Sequence, residues 1–169
     1  MEFLAKYHTM IITAVIGTFG YCLLFNIKKD KLVYGCIGGA MSITIYCLCA
    51  EADIPFLVQN MIPAAVATLY AELMARFVKA PATVFLLPAV IPLAPGGKLY
   101  YTMRAIVGKE EQQASILGHQ TAEIALGIAI GIVLVSLVFF QLSHKHVRFQ
   151  IRFESIENTD SKQQETVTK

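Results

Sequence analysis

Apolar residues in this chain come in blocks of span length, separated by short polar links. The stretches YHTMIITAVIGTFGYCLLF (7–25), LVYGCIGGAMSITIYCLCA (32–50), FLVQNMIPAAVATLYAELMARFV (56–78) and SILGHQTAEIALGIAIGIVLVSLVFFQL (115–142) are four such blocks. Each supplies the ~20 mostly apolar residues that a ~30 Å hydrocarbon core requires. A further stretch, 82–107, is equally apolar but carries Pro88, Pro92, Pro95 and the pair Gly96-Gly97. The links NIKKDK and EADIP are short enough to predict antiparallel hairpins. The pattern predicts an all-α polytopic membrane protein of about five transmembrane helices, the fourth span (82–107) discontinuous near 95–97. The membrane domain covers 1–143. The tail, 144–169, is polar after a basic start and too poor in apolar residues to bury a core, so it is expected to be cytoplasmic and disordered. Its first part, HKHVRFQIRF, alternates cationic and apolar residues, which suits anionic lipid headgroups.

Composition agrees with this reading. Of the 169 residues 56% are hydrophobic and 15% charged, against about 25% charged in soluble domains. The charges cluster at 28–31, at 109–111 and after His144. No basic stripe with interleaved aromatics points to nucleic acid. The four cysteines, Cys22, Cys36, Cys47 and Cys49, lie inside apolar stretches with no histidine at zinc-ligand spacing, and read as small buried hydrophobes. No metal or cofactor is implied. The first stretch exceeds a secretory h-region of roughly 7–15 residues and lacks a small-residue cleavage site, so it is expected to be an uncleaved span. The spans hold no His-Glu-x-x-His helix or serine–histidine dyad, and no enzyme is expected.

Lysine and arginine placement predicts orientation. Lys28, Lys29 and Lys31 occupy the first link, Arg76 and Lys79 border the third, and Lys145, Arg148 and Arg152 open the tail. The second link has Glu51 and Asp53 and no base; the fourth has Lys109 beside two glutamates. The N-terminus is therefore expected outside and the C-terminus in the cytoplasm.

The broken stretch carries the chemistry. As one helix, 82–107 would be ~39 Å long, several ångströms more than the core. Broken at Pro95-Gly96-Gly97 it becomes halves of ~20 and ~15 Å, which places the break near the middle of the span. Three prolines release carbonyls four residues back, and the glycines leave backbone uncovered. Broken backbone survives in a bilayer only where protein or a water-filled cavity meets it. The second half-helix would start near Lys98, its free N–H groups and dipole forming a positive end suited to a carboxylate. A kinked helix that only shapes a bundle is the plainer alternative. Transporters, however, bind substrates on discontinuous helices of this kind.

The segment AVIPLAPGGKLYYTM resembles the signature of the short membrane subunit of the threonine/serine exporter family. Its core is Pro-x-x-Pro-Gly-x-x-x-Tyr, here Pro92, Pro95, Gly96 and Tyr100. The approach YAELMARFVKAPATVFLLPAVIP is similar too, with Arg76, Pro81 and Pro88 in matching places. The resemblance runs from 7 to 142 and implies a two-part exporter. One half has a cytoplasmic domain and about five spans; the other is a five-span half like this chain, fused or separate. It also implies export of threonine and serine, or of succinate in a two-subunit branch, driven by the proton gradient. A hetero- or homo-oligomer in the cell membrane is expected on that basis.

The site reading follows. Pro95, Gly96 and Gly97 would expose backbone to substrate, Lys98 would add positive potential, and Tyr100 a hydroxyl. Glu72 and Arg76, four apart on one helix face, are either an interfacial pair or a gate and coupling site, with Glu72 the better proton carrier. His119 and Glu123 repeat the spacing at the outer end of the last span, and a histidine changes charge in the physiological range. Gln59 and Asn60 read as interhelical hydrogen-bond glue. Arg104 is expected to snorkel outward. Gly35, Gly38 and Gly39, and the Gly127-x-x-x-Gly131 run, read as close helix contacts, within the chain or with a partner. The leading expectation is a membrane subunit of a secondary exporter of small hydrophilic carboxylates. A non-transporting assembly subunit or a small channel are the alternatives.

Overall fold

The computed structural model describes residues 2–52 and 54–167, with side chains described from 7 to 141 apart from Asp53. Every regular element among the described residues is helical: α1 Glu2–Leu24, α2 Lys29–Glu51, α3 Phe56–Val78, α4 Thr83–Val90, a 3-10 turn Ile91–Leu93, α5 Gly96–Val107 and α6 Glu111–Val167. Four stretches are long and apolar enough to cross a membrane: Tyr7–Leu24, Lys29–Glu51, Phe56–Val78 and Glu111–Gln141. The pair Thr83–Leu93 and Gly96–Val107, bent by 50°, makes a fifth if the two halves are one span. Two units are distinguished, Met1–Ser136 and Leu137–Lys169, and the bundle described below is the first. The tail expected to be disordered lies where the side chains are outside the described residues.

Helices in a bilayer gain nothing by hiding apolar surface from equally apolar lipid, so close packing and hydrogen bonds must hold them together. The sequence answers with small residues. Helix α2 sits against α1, α3 and α4, and each of its glycines admits a different neighbour. A Cβ at Gly35 would lie 3.1 Å from Cys22 Sγ and 3.3 Å from Pro88; at Gly38, 2.9 Å from the Tyr70 ring; at Gly39, 2.5 Å from Thr18 Oγ1. Ala64, Ala67, Ala71 and Ala89 complete a core whose large members are Phe85 and Ile43. Tyr34 meets Phe85 edge-on at 6.4 Å, and the Tyr70 hydroxyl donates to Tyr34 O at 2.8 Å.

The Gly127-x-x-x-Gly131 run is spent inside the chain. A Cβ at either position would stand 2.5 Å from a carbonyl of α3, Leu57 O and Met61 O respectively. At such approach the glycine Cα–H groups face carbonyl oxygens, a weak hydrogen bond common between close helices. The faces of α3 and α6 that meet are therefore set by these two residues.

Three helices end the same way. Asn26, Lys79 and Lys109 are left-handed, with φ of 50°, 50° and 57°. After α1, Asn26 N–H donates to Leu23 O and Ile27 N–H to Cys22 O; after α5, Lys109 N–H donates to Ile106 O and Glu110 N–H to Ala105 O. These are the paired bonds of a Schellman cap, which satisfy carbonyls that a helix end leaves open.

Candidate functional site

The prolines of the broken span act in sequence. Pro88 is accommodated inside α4, Pro92 lies in the 3-10 turn, and Pro95 caps α5. Chain direction changes at Ala94 and Pro95, where ψ is 133° and 39°. One carbonyl at the junction is met by protein: Ser42 of α2, fully buried, donates to Ala89 O at 2.6 Å. Helix α5 begins at Gly96, two residues earlier than the expected start near Lys98. Its first intrahelical bond runs from Leu99 N–H to Pro95 O, and Gly96 N–H turns back to Ala94 O. The amides of Gly97 and Lys98 belong to the open first turn.

Those two residues border a cavity of about 210 Å³. All the spans contribute to it: Met10 from α1, Tyr46 from α2, Phe56 and Asn60 from α3, Pro92 to Pro95 from the break, Gly97 and Lys98 from α5, Ile124 from α6. Lys98 is the one charged residue among them. Its Nζ donates to Gln120 Oε1 of α6 and lies 5.5 Å from the centre of the Phe56 ring, a cation–π contact. Asn60 is 1% exposed, and its Nδ2 donates to Phe56 O at 2.7 Å within its own helix. The described residues of the cavity thus offer one cation, an open helix start and aromatic faces, with no carboxylate among them.

Its depth differs from the expected mid-span position. Asn60 is four residues into α3, ~6 Å from that end, and Tyr46 five residues from the end of α2, ~8 Å. Along the broken span, α4 and the 3-10 turn are together ~18 Å long, and α5, also ~18 Å, is bent from them by 50°. The cavity therefore lies nearer the 51–55 link.

Of the residues singled out in the sequence, Pro95, Gly97 and Lys98 meet at the cavity. Gly96 does not border it, and Tyr100 is 65% exposed with its ring edge-on to Tyr101 at 5.5 Å. A Cβ at Gly96 or Gly97 would meet nothing within 4 Å. Packing does not require glycine at either position. Glu72 is half-buried and Arg76 exposed, in the half of α3 away from Phe56, and neither borders the cavity. His119 and Glu123 do form a pair, Nε2 to Oε1 3.3 Å, with His119 79% exposed and Glu123 33%. They flank Gln120 and Ile124, which face the site. Asn60, Tyr46, Met10 and Gln120 were missed. Only Asn60 had a signal, a buried amide in an apolar span, and it was read as glue between helices.

A bundle of four or five candidate spans, with a broken helix whose open start borders a cavity, is the arrangement of a multi-pass membrane protein. Residues 10–138 match the threonine/serine exporter family, ThrE. The chain belongs to that family, which is one of transporters and not enzymes. Comparison with individual curated proteins and with solved structures finds no match.

Proposed function

We propose that this chain is the membrane half of a secondary exporter for small hydrophilic carboxylates, threonine and serine first, a dicarboxylate such as succinate second. The observation that carries the reading is the charge inventory of the cavity. Among the described residues that line it Lys98 is the only charged one, its neighbour Gln120 is neutral, and the amides of Gly97 and Lys98 begin a helix beside it. A substrate carboxylate supplies the missing negative charge. Helix start and ammonium act together on it. A polar substrate amine has the Tyr46 and Phe56 rings opposite.

Export is coupled to protons in this reading, with the His119–Glu123 pair adjoining the site as the coupling group. Glu72 and Arg76 then serve as a gate at the far side. In this reading the N-terminus is outside and the C-terminus in the cytoplasm of the cell membrane, with the basic links in support. Five spans are few for alternating access, so a larger half with a cytoplasmic domain and about five spans, or further copies, completes the transporter.

The test is uptake of labelled threonine, serine and succinate into inverted vesicles carrying this chain, with and without the larger half. Proton-driven uptake of at least one, lost in Lys98→Ala, is expected. No uptake of any of the three in either setting refutes the transport reading and leaves an assembly subunit. Uptake that neither saturates nor responds to a pH step indicates a channel.

A further inference from the structure

A second cavity, about 310 Å³, lies at the far end of α5, bordered by Tyr101, Arg104, Ala105, Glu110, Gln113 and Leu117. Arg104 had been expected only to snorkel. Its charge and that of Glu110 border the same space, and among the described residues neither takes part in an ion pair. The backbone explains how Glu110 comes to this position. Its N–H closes the cap on Ala105 O at 2.9 Å, and its carbonyl accepts from Ala114 N–H at 2.9 Å as α6 begins. Glu110 is thereby tied to the end of the helix that carries Arg104.

We propose that this second cavity binds zwitterions, Arg104 taking the anionic group and Glu110 the ammonium. The shared chemistry is an anion and a primary ammonium a few atoms apart. An amino acid has it in its α-carboxylate and α-ammonium, an ethanolamine phospholipid in its headgroup. A planar guanidinium favours either anion through paired N–H donors, and Gln113 adds donor and acceptor capacity. A dicarboxylate fits poorly, since its second charge faces Glu110. The two cavities therefore select differently: the first holds a lone cation, the second holds both signs.

They are also joined. Lys98 and Arg104 are six residues apart on α5, ~9 Å along the axis. Between them Thr102, buried, donates to Lys98 O at 2.8 Å and lies 3.3 Å from Thr121 Oγ1. On α6, Leu117, Thr121 and Ile124 form a stripe that touches the second cavity, the threonine pair and the first cavity in turn. The hydroxyl pair is a polar seam on the line from one site to the other. The amino-acid source rests on the exporter reading; the zwitterion chemistry does not.

The test uses the full-length chain in nanodiscs of phosphatidylglycerol, in a Lys98→Ala background so that the first cavity lacks its cation. Binding of labelled threonine is measured for this protein and for versions with Arg104→Ala or Glu110→Gln added. Both side chains are exposed, and elution as a single monodisperse peak verifies folding. We expect each change to weaken threonine binding about tenfold or more, the usual scale for losing a charge-assisted contact, and succinate to bind far more weakly than threonine. In the lipid case, native mass spectrometry with added phosphatidylethanolamine retains one more such lipid on the parent than on either variant, and threonine does not bind. If neither threonine nor phosphatidylethanolamine distinguishes the parent from the two variants, the proposal is wrong. Absence of transport in vesicles would leave this readout intact.

Discussion

Gly96 and Gly97 are adjacent, helical and without steric neighbours, yet only Gly97 borders the cavity. Replacing each by alanine in turn therefore separates folding from binding. In the helix the change gains up to ~1 kcal/mol, less in the first turn, and the gain is similar at both positions. At Gly97 the new methyl enters the cavity. It takes up about as much space as one water, ~30 Å³, roughly a seventh of the 210 Å³ available. It also lies over the amides that a carboxylate would approach. Losing one charge-assisted hydrogen bond to those amides costs ~1.5–3 kcal/mol, which is roughly a 10- to 150-fold loss of affinity. The assay is the half-saturating concentration for threonine uptake in inverted vesicles, paired with thermal unfolding in detergent. Gly97→Ala is expected to raise the first and leave the second unchanged or improved; Gly96→Ala is expected to leave transport as it was. If both variants transport alike, substrate does not approach the backbone at this turn, and the cavity has been misassigned.

Ser42→Ala removes the buried hydroxyl that meets Ala89 O and is expected to destabilise by about 1 kcal/mol, read from reversible unfolding in detergent. Gly127→Ala puts a methyl against Leu57 O, which is backbone and cannot rotate away, whereas Gly39→Ala meets the Thr18 side chain, which can. The first is expected to cost about 1–3 kcal/mol and the second less, and equal costs would contradict this packing. Lys79→Gly relieves a left-handed residue after α3 and should stabilise by about 1 kcal/mol, while Lys79→Val should destabilise. Glu123→Gln breaks the pair with His119 and is expected to leave threonine exchange intact while removing the response to an imposed pH step; an unchanged response would take coupling away from this pair.

The helical membrane fold and the broken span were legible because they rest on block length and on proline, both local properties. Hydrocarbon thickness fixes how many residues a span needs, and Pro92 and Pro95 cannot continue a helix whatever surrounds them. Which side of a helix faces a neighbour was not legible, because apolar residues surround these helices on all sides and leave no polar face to mark the outside. Tyr100 and Gly96 belong to the family signature, yet neither borders the cavity. Gln120 sits four positions before an unremarkable isoleucine- and glycine-rich run, and only the approach of α5 brings it to Lys98. The Gly127 and Gly131 contacts were expected as packing, but their partner, α3, is a long-range choice made by the fold.

The tilt of α5 also sets an electrical distance. If the broken span crosses a ~30 Å core with α4 along the membrane normal, its 50° bend leaves ~12 Å between the start of α5 and the core edge on the 51–55 side, so a charge entering from that side would cross about two-fifths of the membrane field. One elementary charge is worth ~2.3 kcal/mol per 100 mV across the whole bilayer. Two-fifths of that is ~0.9 kcal/mol, or roughly fivefold in occupancy. Threonine, with no net charge, would bind almost independently of voltage, while each net charge on a dicarboxylate would change its apparent affinity by that factor. On the exporter reading, the bend in one span would thus make membrane potential a means of sorting the two classes of substrate.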